Sequence, residues 1–270
     1  MKTFRTIGAL ALVAGSMGLA APAHAAGEAS VSILHAVPGA TVDVYANGKA
    51  LLTDFKPGTL TDPVMLPAGS YDLKVTAAGA GATGAAVTEA TATVTAGANI
   101  TVVAHLGADG KPVLTPYVND TSAVPAGQAR LTVRHDAAAP AVDVRANGTA
   151  ALKGLVNPKE ATAVVPAGTI KADVVLAGTS TVVIGPTDLP LKEGANTIVY
   201  AWGSAADKNL ALAVQTITGM DSAPGGVNAG NGGQAAAGAD VARALLVGGA
   251  ALAVGGLVLL PRRRMGRVTR

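Results

Sequence analysis

Cysteine is absent from all 270 residues. That absence excludes disulfides, thiolate metal sites and cysteine nucleophiles together, so any folded part is held by packing and hydrogen bonds alone. Aromatic residues make up 3% of the chain, too few for a row of exposed rings on which sugars or nucleobases stack. Charged residues are sparse as well, at 14%. Lys2, Arg5, Arg243, Arg262, Arg263, Arg264, Arg267 and Arg270 stand at the two ends, whereas all 17 acidic residues lie between Glu28 and Asp240. The formal net charge of +3 therefore belongs to the ends, and the middle is net negative. No nucleic-acid partner is expected, because such a partner selects a basic patch on the folded surface.

Signatures of chemistry are missing too. There is no Gly-x-Ser-x-Gly elbow, and no Gly-rich phosphate loop stands between a strand and a helix. Beyond the N-terminal leader the histidines are His35, His105 and His135, and Trp202 occupies the place in the second half that answers to His105, so a zinc ligand set is incomplete there. Asp109, Asp120 and Asp136 lack the Asp-x-Asp-x-Asp-Gly spacing of a calcium loop. These gaps predict no enzyme, no cofactor and no metal.

What is present is a repeat. His35, Asp43, Asn47 and Gly48 return as His135, Asp143, Asn147 and Gly148, with one offset of 100 residues throughout. Self-similarity at that spacing implies one folding unit used in tandem. Val31, Ile33 and His35 share one face of a period-two pattern, and Val42 and Val44 alternate with Asp43 and Tyr45, which predicts half-buried strands. Further strands are expected over 62–66, 71–76, 87–95, 100–106 and 112–118. Asn47-Gly48 and Asn147-Gly148 are hairpin signals, since both residue types tolerate the positive φ of a type I′ turn. Turns arriving about every ten residues predict an all-β fold of antiparallel sandwiches. Repeats over 29–120 and 129–219 follow, with a hinge over 121–128 short enough to predict an end-to-end arrangement. Within each repeat a hairpin-like return places His35 near Asp43 and His135 near Asp143, which predicts a structural His–Asp bond in each copy.

The flanks read as addressing and anchorage. A basic start, a short apolar run and Ala23-His24-Ala25 predict a signal peptide over 1–25. Residues 220–240 are rich in Gly, Ala and Asn and predict a flexible tether with a reach of roughly 25 Å. The apolar stretch 241–261 is about long enough for one membrane-spanning helix, and the basic tail 262–270 predicts a cytoplasmic C-terminus.

The stretch containing His35, Pro38, Ala40, Val42, Asp43, Val44, Tyr45, Asn47 and Gly48, followed by Pro67-Ala68-Gly69 and then Tyr71, Leu73 and Val75, resembles the bacterial family called domain of unknown function 4397. The second copy departs from it at Pro140, Arg145, Ile170 and Ala172. The resemblance implies two immunoglobulin-like β-sandwiches in an envelope protein and implies no established activity. The expectation is a non-catalytic cell-surface protein, exported and held in the plasma membrane by one C-terminal helix, that displays two modules to an extracellular macromolecule or envelope component. The alternative is a ligand-sensing or accessory subunit acting on a membrane partner through that helix.

Overall fold

The computed structural model describes residues 27–221. The expected signal peptide (1–25), membrane helix (241–261) and basic tail (262–270) lie outside the described residues, as does nearly all of the 220–240 tether. Among the described residues there is no helix, and hence none long and apolar enough to cross a membrane.

The first half forms β1 (Glu28–Ala36), β2 (Val42–Ala46), β3 (Lys49–Phe55), β4 (Val64–Pro67), β5 (Gly69–Ala77), β6 (Ala86–Val94), β7 (Asn99–Leu106) and β8 (Pro112–Val118). They make two four-stranded sheets, ordered β4-β1-β7-β8 and β3-β2-β5-β6. The second half forms β9 (Gln128–Ala138), β10 (Val142–Ala146), β11 (Thr149–Leu155), β12 (Glu160–Pro166), β13 (Gly168–Leu176), β14 (Val182–Leu191), β15 (Asn196–Ser204) and β16 (Ala211–Ile217). Its sheets are ordered β12-β9-β15-β16 and β11-β10-β13-β14, so the strand order of the first half is reproduced strand for strand. The fold is all-β and sandwich-like: Leu131 and Val199 from one sheet pack with Val144 and Val174 from the other in a single cluster, and Val31 and Val102 meet Leu73 and Val94 in the first half.

Two expectations change. The sheets are not purely antiparallel, because β1 runs parallel to β7 and β9 parallel to β15. The chain between β1 and β7 passes through the opposite sheet, so no hairpin fixes their relative direction. Pro67-Ala68-Gly69 is likewise a corner between sheets, since β4 pairs with β1 whereas β5 pairs with β2.

The second change concerns the joint between repeats. Strand β1 is buried on both faces: Val31 and Ile33 point into the first core, whereas Leu34 and Ala36 enter a cluster with Val103, Tyr117, Ile198 and Tyr200. Ile198 and Tyr200 belong to β15 of the second repeat. The repeats therefore pack sheet against sheet instead of end to end, because each has an outer face that water does not cover. Val124 of the hinge donates its N–H to the Met220 carbonyl, fastening the connection to the end of the second repeat.

Leu34 is fully buried, and Trp202, the sole tryptophan, packs against the same shared cluster from the second repeat. Leu34→Ala is expected to cost about 2–5 kcal/mol from lost burial plus the cavity left behind. Urea unfolding followed by tryptophan fluorescence reads that loss from the other repeat. An unchanged Trp202 midpoint would mean that the repeats unfold independently.

Candidate functional site

The recurring residues occupy equivalent positions in both repeats, and the histidines do not bond to the aspartates. His35 is buried on β1, where its Nε2 donates to the Ala40 carbonyl at 2.8 Å and its Nδ1 accepts from Val37 N–H at 3.4 Å. Those partners fix the tautomer and tie the end of β1 to the loop leading into β2. His135 does the same, donating to Pro140 O at 3.0 Å and accepting from Ala137 N–H at 3.4 Å. Burial holds the His35 imidazole below the usual histidine range, against the opposing pull of the Ala40 carbonyl.

Asp43 has a different task. Its carboxylate accepts from Asp54 N–H at 3.0 Å and from Gly79 N–H at 2.9 Å. Asp54 stands at φ 52°, where the β2–β3 register slips, so Asp43 caps a bulge and pins the loop after β5 at the same time. Asp143 repeats the arrangement with Gly154 at 2.7 Å and Gly178 at 3.0 Å, and these two backbone bonds lower its pKa. The expected His–Asp bonds are thus replaced by two separate side-chain-to-backbone ties per repeat, because backbone N–H groups at the bulge reach the carboxylate.

Asn47 and Gly48 lie at φ 49° and 73° between β2 and β3, and Asn147 and Gly148 at φ 50° and 80° between β10 and β11. Asn47 also accepts the Asp72 N–H through its side-chain oxygen at 2.8 Å, and Asn147 accepts that of Lys171 at 2.9 Å. A turn alone would accept several residue types. The additional tie to the neighbouring strand is what an asparagine side chain supplies.

A dense network of polar groups lies in the joint between repeats and includes His105 and Asp136, which the sequence offered only as members of incomplete metal-ligand sets. Arg134 on β9 is 1% exposed. Its Nε donates to Glu160 at 2.8 Å, one Nη to the Tyr200 hydroxyl at 2.8 Å and the other to Asn119 Oδ1 at 2.8 Å. The guanidinium carbon sits 4.2 Å from the Tyr117 ring centroid and 5.3 Å from that of Tyr200. Tyr200 donates onward to Gln215, whose carbonyl oxygen also accepts from Thr101 at 3.0 Å. Burial raises the Tyr200 hydroxyl above the usual tyrosine range.

Two residues further along β9, Asp136 is fully buried. Its Oδ1 accepts from the Tyr117 hydroxyl at 2.6 Å and lies 3.7 Å from His105 Nε2, and its Oδ2 has no partner among the described residues. Burial raises its pKa, with His105 opposing most strongly, followed by Tyr117, Arg134 and His135. Tyr117 is pushed up in turn, first by burial and then by the facing carboxylate. Among the described residues no group of three or more His, Asp and Glu side chains is placed to hold a metal ion.

These observations define the class: a tandem all-β protein whose repeated polar residues brace the backbone and whose densest polar network locks one repeat to the other. The family model described as Domain of unknown function (DUF4397) matches residues 29–145, all of the first repeat's sheets and the start of the second repeat. That stretch of the chain belongs to the family. No curated protein matches the chain.

Two measurements test these roles. His35→Ala leaves a buried cavity and an unpaired carbonyl, and is expected to cost about 2–4 kcal/mol in urea unfolding. No loss would contradict the bracing role. For Asp136, the folded carboxyl binds its proton more tightly than the unfolded one, so its ionisation removes stability as pH rises above the unfolded value of about 3.9. Asp136→Asn still offers an oxygen to Tyr117 and cannot ionise. Its stability relative to the parent is expected to increase as pH rises above about 4, and to level off once the folded carboxyl has ionised. A difference independent of pH would show that Asp136 is equally easy to ionise folded and unfolded.

Proposed function

We propose that this protein is a non-catalytic, membrane-anchored cell-surface protein that displays two immunoglobulin-like β-sandwich modules as one braced body. In this reading residues 1–25 direct export, 241–261 form the single membrane helix, and 220–240 hold the repeats away from the bilayer. The second repeat is read as a further copy of the same family domain.

The observation that carries this reading is where the recurring polar atoms are spent. His35, Asp43 and Asn47, with their counterparts His135, Asp143 and Asn147, bond backbone groups of their own repeat. A residue engaged in bracing its own sheet is engaged in shape, and shape is what a display module offers a partner. The inter-repeat lock supports the same view. Domains joined in one chain are expected to move relative to one another unless their interface is substantial and well packed. Here an apolar cluster and a buried guanidinium both span the interface.

The test is protease treatment of intact cells producing the protein with an epitope at its mature N-terminus. Loss of the epitope without lysis is the expected result. Protection until lysis would place the repeats inside and overturn the proposal. Recovery of one stoichiometric membrane protein from detergent would replace display by the accessory-subunit reading.

A further inference from the structure

We infer that the cleft at the junction of the two repeats is a binding site for a neutral oligosaccharide segment. The cleft has a volume of about 400 Å³ and lies between the first repeat, through Ser32, Asn99 and the β3–β4 connection, and strand β16 of the second. Junctions between domains are a preferred location for ligand sites of this size.

Its polar groups are aimed by the lock behind it. Gln215 is 9% exposed, and its carbonyl oxygen is held from inside by the hydroxyls of Thr101 and Tyr200. With the oxygen engaged on that side, the amide NH2, which has no partner among the described residues, is left for the cleft that the residue lines. Asn99 is anchored in the same way, its Oδ1 accepting from Asn119 Nδ2 at 2.6 Å. Asn119 in turn accepts from Arg134. Two carboxamides are therefore fixed from behind by buried partners and offer four N–H donors at the cleft.

The remaining lining selects the class of ligand. Ser32, Thr216 and Thr218 contribute hydroxyls, each able to donate and accept, and Asp62 is the single ionisable residue lining the cleft. A sugar hydroxyl also donates and accepts at once, so a mixture of amides, hydroxyls and one carboxylate suits it. With no lysine or arginine in the lining, phosphate and other anions have no counter-charge. Leu60 and Ile217 supply apolar surface for the C–H faces of a sugar ring. The scarcity of aromatic residues argues against a stacking platform but not against recognition by hydrogen bonds. An extended peptide added to the edge of β16 would be recognised mainly through backbone groups, whereas here the donors are side chains held in place by a buried network.

This inference names a ligand class for the display module and rests on that proposal only for where the ligand is met. Binding to purified protein does not depend on cellular location, so failure here and failure of the surface reading are separable. The experiment is saturation-transfer NMR and calorimetry of the full-length protein with cellotetraose, mannotetraose, maltotetraose and chitotetraose, and with a capped tetra-alanine peptide. Thr216 is exposed and outside the lock, so Thr216→Arg fills the cleft without disturbing the joint. Asn99→Asp keeps the oxygen that Asn119 bonds and removes the donors. Binding of at least one oligosaccharide, weakened at least tenfold in Thr216→Arg with an unchanged thermal midpoint, is the expected result. Asn99→Asp is expected to weaken it similarly, and if that variant does not fold, Thr216→Arg alone decides. Binding of no oligosaccharide, equal binding by Thr216→Arg, or binding of the peptide alone would overturn the inference.

Discussion

A guanidinium removed from water needs a partner on each of its three nitrogens, and Arg134 imposes that requirement on the joint between the repeats. An unpaired buried charge costs several kcal/mol, and even a paired one gains little over an apolar replacement. What the pairing supplies is geometry. Glu160, Tyr200 and Asn119 must stand where the three arms of the guanidinium point, and Tyr117 must lie beneath it. The neighbouring cluster of Leu34, Val103, Ile198 and Tyr200 provides the apolar burial. Apolar contact between two flat faces tolerates sliding, whereas a fork of directed bonds does not.

The two repeats share their inner architecture and differ in their outer faces for that reason. At the common offset, Leu34 of β1 answers to Arg134 of β9, and Ala36 answers to Asp136. At these two positions the first copy is apolar and the second charged, and both pairs are buried in the joint. His, Asp and Asn persist at their repeated positions because each solves a local problem that both copies have: a loop closure, a bulge and a turn tied to the next strand. Nothing local constrains the outer face. It is free to diverge, and divergence allows one copy to face the other without a symmetric contact.

This division explains what could be read from the chain. Alternation at Val31, Ile33, Val42 and Val44, together with Asn-Gly pairs at φ values that only permissive residues adopt readily, made the strands and two hairpins legible. The partner of Asp43 was not legible, since Asp54 and Gly79 lie 11 and 36 residues away and meet it only after a bulge and a loop have formed. The roles of Arg134 and Asp136 were not legible for a different reason. Alternating with Leu131, Val133 and His135, they carry the pattern of a strand with one face in water, and period two cannot distinguish a solvated face from one buried against another sheet. The signal available was a pair of unlike charges on a strand whose counterpart, β1, is apolar at the same positions.

The lock and the cleft are parts of one network. Arg134 donates to Tyr200, Tyr200 donates to Gln215, and Gln215 lines the cleft; Arg134 also donates to Asn119, Asn119 to Asn99, and Asn99 lines the opposite wall. The two walls come from different repeats, so the spacing of their donors is the spacing of the joint. Rigid donors bind a ligand at less entropic cost than donors that must first be ordered. A change in the lock therefore reaches the cleft through two chains of hydrogen bonds, and the burial that makes Arg134 expensive to keep is also what orients the amides at the surface.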